Sequence, residues 1–369
     1  MKLDRIEVMQ ASVSVKEPFV TSFGYLREQL AVIVKMESDG AIGWGESCPW
    51  WAPIYSSEMS STVYVVLEEV LAPAVIGKNF DSPADLLDAM SFVRGNQFAK
   101  AALETAFWSL LAEVEQKPLN QLLGGTRQRV VGGISVGIQE SPAALARVVG
   151  DFLDIGYPRV KLKVKPGKDI DYVRAVRQAF PDIPLMVDAN SAYSLEDIEL
   201  LKQFDEFGLI MIEQPLSYED IVDHSKLQPQ IETPICLDES IHTPADARKA
   251  IELGSGKIIN IKWGRLGGFA NAIAVHDLCQ EAGWPVWIGG MGELGIGRSF
   301  SVELASLSNV TLPSDLSPSS RSYAEDIVDP PVSMNPDGTF DVSSKVGIGR
   351  RVREAFLRAH MLRSFEIKA

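Results

Sequence analysis

The sequence predicts an α/β fold, a (β/α)8 TIM-like barrel preceded by an N-terminal α+β capping domain. From about residue 130 to 325, short apolar runs alternate with amphipathic helical stretches, and the first 125 residues lack this alternation. The polar residues that close successive runs are spaced by 25, 25, 25 and 24 residues, at Lys163, Asp188, Glu213, Asp238 and Lys262. A strand, a helix and two loops need about that length, and eight such units close most naturally into a barrel.

Eight apolar runs supply the predicted barrel strands. They are Gly133–Val136, Val160–Val164, Leu185–Val187, Leu209–Ile212, Ile235–Leu237, Ile258–Ile261, Val286–Ile288 and Val310–Leu312. Continuous apolar runs are typical of parallel strands that are buried on both faces. A doubly wound open sheet is the rival, but no glycine fingerprint follows the first run.

The N-terminal part reads as strands followed by helices. Residues 3–13 and 30–38 alternate apolar and polar side chains, as half-buried strands do, and Gly40 to Glu46 is predicted to be a glycine-rich turn. Helices are predicted over 58–75, 83–94 and 98–115. The predicted domains are a cap over 1–125, a barrel over 126–325 and a C-terminal segment over 326–369.

Composition limits the class of protein. The chain has 35 Lys and Arg against 49 Asp and Glu, a net charge of −14, which disfavours binding to nucleic acid. Its three cysteines form no CxxC pair, which fits a reducing compartment. The sequence shows no signal peptide and no 18-residue apolar run. We therefore expect a cytoplasmic protein, with no membrane or nucleic-acid partner, that forms a homo-oligomer.

Three carboxylates close the third, fourth and fifth predicted strands: Asp188, Glu213 and Asp238. The C-terminal strand ends are where barrel enzymes carry their active sites. Three buried acids on successive strands repel one another unless a cation lies among them. Carboxylates without His or Cys favour Mg²⁺ or Mn²⁺ over Zn²⁺. The alternative for each acid alone is a cap of the following helix.

Lysines close the second and sixth predicted strands, and these strands lie opposite one another in a ring of eight. A carboxylate substrate between them would present one face of its α-carbon to Lys163 and the other to Lys262. Such a base needs a lowered pKa. Lys161 lies on the same face as Lys163, and each disfavours the charge of the other. Arg265 is predicted to act on Lys262 in the same way. A solvated edge strand is the alternative for Lys161 and Lys163.

Other positions support two interpretations each. Asn190 and Glu239 either orient a metal ligand through a hydrogen bond or cap a helix. Ser135 either binds the substrate or caps a helix. The Gly289–Gly292 segment either lets the backbone approach a ligand or is a plain loop.

With these motifs in place, the chain resembles the enolase superfamily, in its muconate-lactonizing subgroup, over almost its whole length. Within it, the chain looks most like the o-succinylbenzoate synthase and N-succinylamino acid racemase (N-acylamino acid racemase) family. The segments that carry the resemblance are Phe19–Gly24, Pro53–Glu58, Lys161–Lys163, Asp188–Asn190, Ile212–Pro215, Leu237–Ser240, Asn260–Lys262 and Leu312–Ser317.

The resemblance implies a role for each matched position. Asp188, Glu213 and Asp238 would bind Mg²⁺, and Lys163 and Lys262 would be the acid/base pair. The substrate would touch Ser135, Lys161, Asn190, Gly290 and Met291. Segments 19–24 and 50–58, with Phe19, Phe23 and Tyr55, would form cap loops that close over it. The C-terminal segment would return to complete the cap.

The implied activity is removal of the proton α to a carboxylate of a succinyl substrate. The synthase reaction of menaquinone biosynthesis is favoured, the racemase is the alternative, and a muconate cycloisomerase is a further one. Trp263, Gly292, Leu294 and Ser109 depart from the family pattern. A non-catalytic barrel is disfavoured because both lysines and all three acids are present.

Overall fold

The computed structural model describes residues 1–20 and 24–369, and its N-terminal part is built on an antiparallel sheet. The first strands are β1 (Arg5–Val20), β2 (Tyr25–Ser38) and β3 (Ala41–Ser47). β2 lies between the other two and pairs with both in antiparallel register. The two strands predicted near 3–13 and 30–38 are confirmed and are longer than predicted.

The prediction of a glycine-rich turn over Gly40 to Glu46 is wrong, because these residues form β3. Its glycines let a helix pack directly on the strand. A Cβ built on Gly45 would lie 2.1 Å from the carbonyl oxygen of Ala102, and one on Gly43 would lie 2.3 Å from that of Ala106. Glycine is needed here for a close approach and not for a turn.

The helices of this part follow β3. They are α1 (Ser60–Val66), α2 (Ala72–Val75), α3 (Pro83–Ala89), α4 (Gln97–Val114) and α5 (Leu119–Leu122). A π-helical turn over Leu67–Leu71 joins α1 to α2, which accounts for the one long helix predicted over 58–75. α3 begins at Ser82, whose hydroxyl accepts from the Asp85 N–H, and Pro83 occupies its first turn.

The middle of the chain alternates strands and helices as predicted. Its strands are β4 (Arg129–Val131), β5 (Ile134–Val136), β6 (Val160–Lys163), β7 (Leu185–Asp188), β8 (Ile212–Glu213), β9 (Ile235–Leu237), β10 (Ile258–Ile261) and β11 (Val286–Ile288). Its helices are α6 (Pro142–Ile155), α7 (Ile170–Ala179), α8 (Ile198–Leu201), α9 (Val222–Leu227), α10 (Pro244–Leu253), α11 (Trp263–Leu266), α12 (Phe269–Ala282), α13 (Gly295–Leu304) and α14 (Ser319–Ser322). Single 3₁₀ segments lie at Leu195–Asp197, Lys202–Phe207 and Gln228–Gln230.

β5 to β11 form one parallel sheet in chain order, and the segment after α13 closes it. That segment contains the eighth predicted strand, Val310–Leu312. It makes isolated parallel bridges from Val310 to Val286 and from Ser314 to Gly132 in place of a regular strand. The Asp315 N–H also donates to the Ile288 carbonyl at 2.8 Å. The sheet is therefore joined at both edges, and the predicted barrel is confirmed.

The C-terminal segment returns across both parts of the molecule. It contains β12 (Val328–Asp329), β13 (Thr339–Asp341), β14 (Arg351–Val352), α15 (Glu354–Ala359) and β15 (Met361–Lys368). β13 pairs with β4 beside the barrel, and β15 pairs with β1 as the edge strand of the cap sheet. The tail thus completes the cap as expected, whereas the bounds placed at 125 and 325 stay predictions.

Buried glutamates join the cap to the barrel. The Glu104 carboxylate on α4 accepts from the Phe269 and Ala270 N–H groups at 2.8 and 2.9 Å, at the start of α12. Glu46 at the end of β3 accepts from the Leu294 and Gly297 N–H groups at 2.7 and 2.8 Å, at the start of α13. Each carboxylate satisfies helix N–H groups that have no partner within their own helix.

Candidate active site

The predicted lysines and carboxylates gather at one end of the barrel. In the sheet register Lys163 pairs with Asp188, and Asp188 pairs with Glu213. Asp238 and Lys262 come directly after β9 and β10. Alternate residues of a strand point to the same face. The residues two positions earlier, Met186, Met211 and Cys236, therefore share that face, and they pack with Ile258 and Trp287 in a buried cluster beneath the site.

Lys163 lies between Asp188 and Asn190. Its Nζ donates to Asp188 Oδ2 at 2.5 Å and to Asn190 Oδ1 at 2.6 Å. The Asn190 amide group in turn donates to Glu239 Oε1 at 2.9 Å, while the Asn190 N–H donates to Asp188 Oδ1 at 2.9 Å. Asn190 thus contacts both Lys163 and Asp188, and Glu239 contacts Asn190. Neither residue caps a helix.

Lys161 is held by three carboxylates. Its Nζ lies 2.6 Å from Asp315 Oδ2, 2.9 Å from Glu213 Oε2 and 3.5 Å from Asp188 Oδ2. Burial lowers the pKa of Lys161, but the charges of Asp315, Glu213 and Asp188 outweigh burial and raise the pKa above its ordinary value. The net shift of the Lys161 pKa is therefore upward, which makes Lys161 a cation of the site and not a candidate base.

Lys262 contacts both the barrel and the cap. Its Nζ donates to Asp238 Oδ2 at 2.7 Å and to the Tyr55 hydroxyl at 3.2 Å. Arg265 also bonds to Asp238 and donates to the same hydroxyl at 2.7 Å. Burial lowers the pKa of Lys262, and so does Arg265, as expected. The charges of Asp238 and Tyr55 outweigh both, so the net shift of the Lys262 pKa is upward.

Glycine lets the Lys262 side chain pass the next strand. A Cβ built on Gly289 would lie 2.7 Å from Cε of Lys262 and 2.2 Å from the Asn260 side chain. The Gly289–Gly292 segment is therefore more than a plain loop, because a larger residue at its first position would displace the lysine. Gly290 and Met291, the next two residues, line the pocket above the strand ends.

The three acids fit a divalent cation by their chemistry. Asp188, Glu213 and Asp238 are each at most 1% exposed, and they supply oxygen donors only. Burial and the charge of Asp188 raise the pKa of Glu213 well above its ordinary value, which reflects repulsion between neighbouring acids. As the side chains stand, no group of three or more His, Cys, Asp or Glu within residues 1–20 and 24–369 is arranged to hold an ion. The lysines are bonded to these carboxylates instead.

The remaining predicted residues lie around a pocket of about 420 Å³. Ser135 lines it with a buried hydroxyl oxygen that has no hydrogen-bond partner among the described residues. Tyr55 reaches it from the segment between β3 and α1. Phe19 lies in β1, where its backbone pairs with Leu26, and Phe23 lies outside the described residues. Every other predicted site residue is in or beside this pocket.

Sequence reasoning missed two arginines of the pocket wall, Arg298 on α13 and Arg321 on α14. Neither closes an apolar run, so the pattern that found the lysines could not find them. Only their position in the sequence could have indicated them. They come after the ends of the seventh and eighth strands, where the active sites of barrel enzymes lie. The sequence also does not indicate that Asp315 forms an ion pair with a lysine of the site. Asp315 pairs with Lys161, and its Oδ1 lies 2.8 Å from Nη2 of Arg159.

Known proteins resemble this chain over its whole length. The family model of the mandelate racemase / muconate lactonizing enzyme N-terminal domain matches residues 5–124, and that of the enolase C-terminal domain-like family matches residues 144–356. An o-succinylbenzoate synthase from Geobacillus stearothermophilus is 46% identical, over 95% of this chain and 93% of its own. An N-succinylamino acid racemase from Thermus thermophilus is 44% identical, over 97% of this chain and 96% of its own.

Solved structures agree with the fold. A member of the enolase superfamily from Listeria innocua superposes with a TM-score of 0.96 at 37% identity, covering 100% of this chain and 99% of the other. Within the described residues, no helix has the combined length and hydrophobicity needed to cross a membrane.

Proposed function

This chain belongs to the enolase superfamily, and we propose that it removes the proton α to a carboxylate of a succinyl substrate. The main reaction proposed is the dehydration of a succinyl-cyclohexadiene hydroxy-carboxylate to o-succinylbenzoate, in menaquinone biosynthesis. The observation that carries the proposal is the pair Lys163 and Lys262. Lys163 ends β6 and Lys262 follows β10, strands that lie four apart in the closed sheet, and both lysines line one pocket.

The lysines act on opposite faces of the substrate's α-carbon. Lys163 or Lys262, in its neutral form, takes the α-proton on its own face. Asn190 orients Lys163 through a 2.6 Å hydrogen bond, and Tyr55 orients Lys262 through one of 3.2 Å. Lys161 has a different task. As a fixed cation it stabilises the negative charge that develops on the carboxylate when the proton leaves.

Asp188, Glu213 and Asp238 would hold the divalent metal, Mg²⁺ or Mn²⁺. When bound, the metal would supply a Lewis acid for the substrate carboxylate and positive charge among the three acids. Glu239, whose Oε2 is buried without a partner, supports this site through its bond to Asn190.

Racemisation of N-succinylamino acids is the second candidate. Dehydration needs one basic lysine, whereas racemisation needs one on each face, and this chain has both. Arg265, which bonds to the acid and the tyrosine that contact Lys262, supports Lys262 as the second base. A muconate cycloisomerase-like reaction stays a further alternative, and cytoplasmic location and homo-oligomerisation stay predictions.

The test is proton exchange. Purified protein with Mg²⁺ in D₂O is mixed with N-succinyl-L-phenylalanine, and the α-proton signal and optical rotation are followed. In parallel, the synthase substrate is followed by its ultraviolet change. We expect both reactions and their loss in EDTA, and the two rates rank the functions. Failure of both reactions would overturn the assignment of succinyl substrates.

A further inference from the structure

Two arginines, one on α13 and one on α14, form part of the pocket wall. Arg298 and Arg321 both line the pocket, and burial together with the charge of Arg298 lowers the pKa of Arg321. Their hydrogen bonds go to carbonyl and hydroxyl oxygens. In the part of the chain that the structure describes, neither guanidinium forms an ion pair with a carboxylate. Buried or half-buried cations normally have such a partner.

Arg298 is a structural cation. Its Nε donates to the Glu293 carbonyl at 2.7 Å, Nη1 donates to the carbonyls of Ser317 and Pro318 at 2.7 and 3.4 Å, and Nη2 donates to the Ser322 hydroxyl at 2.8 Å. A guanidinium has five N–H groups, so four are used. Arg298 therefore holds the loop and short helix that carry Arg321.

Arg321 keeps most of its donors for a ligand. Its Nη1 donates to the Ser317 hydroxyl at 3.1 Å and its Nη2 to the Ser135 carbonyl at 3.2 Å. Within residues 1–20 and 24–369, two of its five N–H groups are used, which leaves three. Its guanidinium also lies over the Phe152 ring, 5.2 Å from the centroid, which fixes its plane. Burial lowers the pKa of Arg321, so an anion at this place would relieve an unfavourable charge.

Three acidic groups influence Arg321 without bonding to it: Tyr157, Asp315 and Glu17. Asp315 is already paired with Lys161 and Arg159. Glu17 is exposed at the pocket rim. The Tyr157 hydroxyl has no hydrogen-bond partner among the described residues. None of the three groups therefore occupies the remaining donors of Arg321.

Ser135 links Arg321 to the reacting end of the pocket. Its carbonyl accepts from Arg321, its backbone pairs with Lys161 in the sheet, and its buried hydroxyl oxygen has no partner. Arg321 and the site lysines line the same pocket, so one bound molecule can contact both. The pocket volume of about 420 Å³ lies in the range of small-molecule sites, roughly 300–1,000 Å³.

We infer that Arg321 is the receptor for a second carboxylate of the substrate, remote from the α-carbon, and that Arg298 positions it. This inference rests on the proposed function and adds one detail to it. The carboxylate of the succinyl group is recognised by a residue of α14, and this contact favours dicarboxylate substrates. A planar guanidinium with adjacent free donors binds a carboxylate through two parallel hydrogen bonds.

The experiment compares two ligands that differ only in charge at the remote end. N-succinyl-L-phenylalanine and its neutral analogue, N-succinamoyl-L-phenylalanine, are titrated calorimetrically into the Mg²⁺-loaded protein. We expect the wild type to prefer the succinyl compound by about 100-fold, the scale of hydrogen bonds to a charged group. In Arg321→Met the preference should fall to about 3-fold or less, and Arg321→Lys should retain part of it.

The control is Arg248→Met, on the exposed face of α10, which removes the same charge and should leave the preference unchanged. A preference that survives in Arg321→Met would place the second carboxylate elsewhere and overturn the inference. Equal weakening of both ligands in Arg321→Met would show a merely structural role and would also overturn it.

A second titration separates this inference from the proposed function. If the wild type binds neither acylated amino acid, the proposed function fails, and succinate is then compared with succinamate. A preference for the dianion that Arg321→Met abolishes would still support the receptor. Equal binding of the two would overturn it.

Discussion

The two candidate base lysines have unlike neighbours. Lys163 bonds to Asp188 and Asn190 within the barrel, whereas Lys262 bonds to Asp238 and to Tyr55 from the cap. Each lysine can therefore be changed without removing the partners of the other. This independence makes the two-face arrangement testable one lysine at a time.

Replacing either lysine by alanine should separate exchange from racemisation. Lys163→Ala and Lys262→Ala should each lower the racemisation rate by about 10³-fold, the scale of one general base. Each variant should still exchange the α-proton of one enantiomer, and the two variants should differ in which one. Proton NMR in D₂O with both enantiomers measures this. Exchange of the same enantiomer by both variants would contradict bases on opposite faces.

Glu303 provides a pH-dependent contribution to stability away from the site. It is buried on α13, and its Oε1 accepts from the Ser343 N–H at 3.1 Å. Its Oε2 has no hydrogen-bond partner in residues 1–20 and 24–369. Burial raises the pKa of Glu303 to about 8. The unfolded chain loses this proton near the ordinary value of 4.5, so the free energy of unfolding falls as pH rises between these values.

Glu303→Gln should remove this fall in the free energy of unfolding at higher pH. The amide stays neutral, and its oxygen can still accept a hydrogen bond from the Ser343 N–H. From pH 5 to 8 the variant should gain stability relative to the wild type by up to about 1.4 kcal/mol per pH unit. Urea unfolding at several pH values measures it, with the surface change Glu232→Gln as control. Parallel pH profiles of wild type and Glu303→Gln would refute the raised pKa.

At the scale of elements, β3 and α4 show how a close contact depends on glycine. The Cβ distances of 2.1 and 2.3 Å at Gly45 and Gly43 leave no room for a methyl group. Gly45→Ala should cost about 3 kcal/mol of unfolding free energy, since α4 must move off the sheet. Gly150→Ala in helix α6, where the nearest atom is 3.3 Å away on the Phe180 ring, should cost little or stabilise. Equal effects in chemical denaturation would contradict this packing.

The barrel strands could be predicted because each is a continuous apolar run closed by a charged residue. β3 could not, because its glycines match the pattern of a turn until the helix that packs on them is known. The eighth run was predicted as a regular strand, yet Val310 and Ser314 make only isolated bridges. A local pattern identifies a buried run, but hydrogen-bond pairing depends on neighbours more distant in the chain.

The same limit applies to side-chain chemistry. The positions of Asp188 and Lys262 were predictable from spacing, whereas the direction of the pKa shift of Lys262 depends on Asp238 and Tyr55, one from the barrel and one from the cap. Arg321 lies on the four-residue helix α14, which is too short to show a periodic pattern in the sequence. The surroundings of its guanidinium become visible only when the loop of Ser317 and the strand of Ser135 are placed together.

At the scale of the whole molecule, we expect metal binding by Asp188, Glu213 and Asp238 to increase the stability of the fold. Mg²⁺ at about 100 times its Kd should raise the free energy of unfolding by about 2.7 kcal/mol. Asp188→Asn and Asp238→Asn should lose most of this gain, and Asp171→Asn on the surface should keep it. Thermal unfolding with Mg²⁺ and with EDTA measures the effect. An undiminished gain in the first two variants would contradict metal binding by these acids.

The glutamates that join the cap to the barrel limit how such enzymes can be recombined. A chimaera that takes its cap from a relative and its barrel from this chain would need acids equivalent to Glu46 and Glu104. Without them, helices α13 and α12 would each begin with buried N–H groups that lack an acceptor. α13 also carries Arg298, which bonds to the segment around Arg321. Removing the Glu46 carboxylate would therefore also disturb the position of Arg321. Loop grafting within one intact cap is therefore the better route to new substrates, because it leaves both junctions in place.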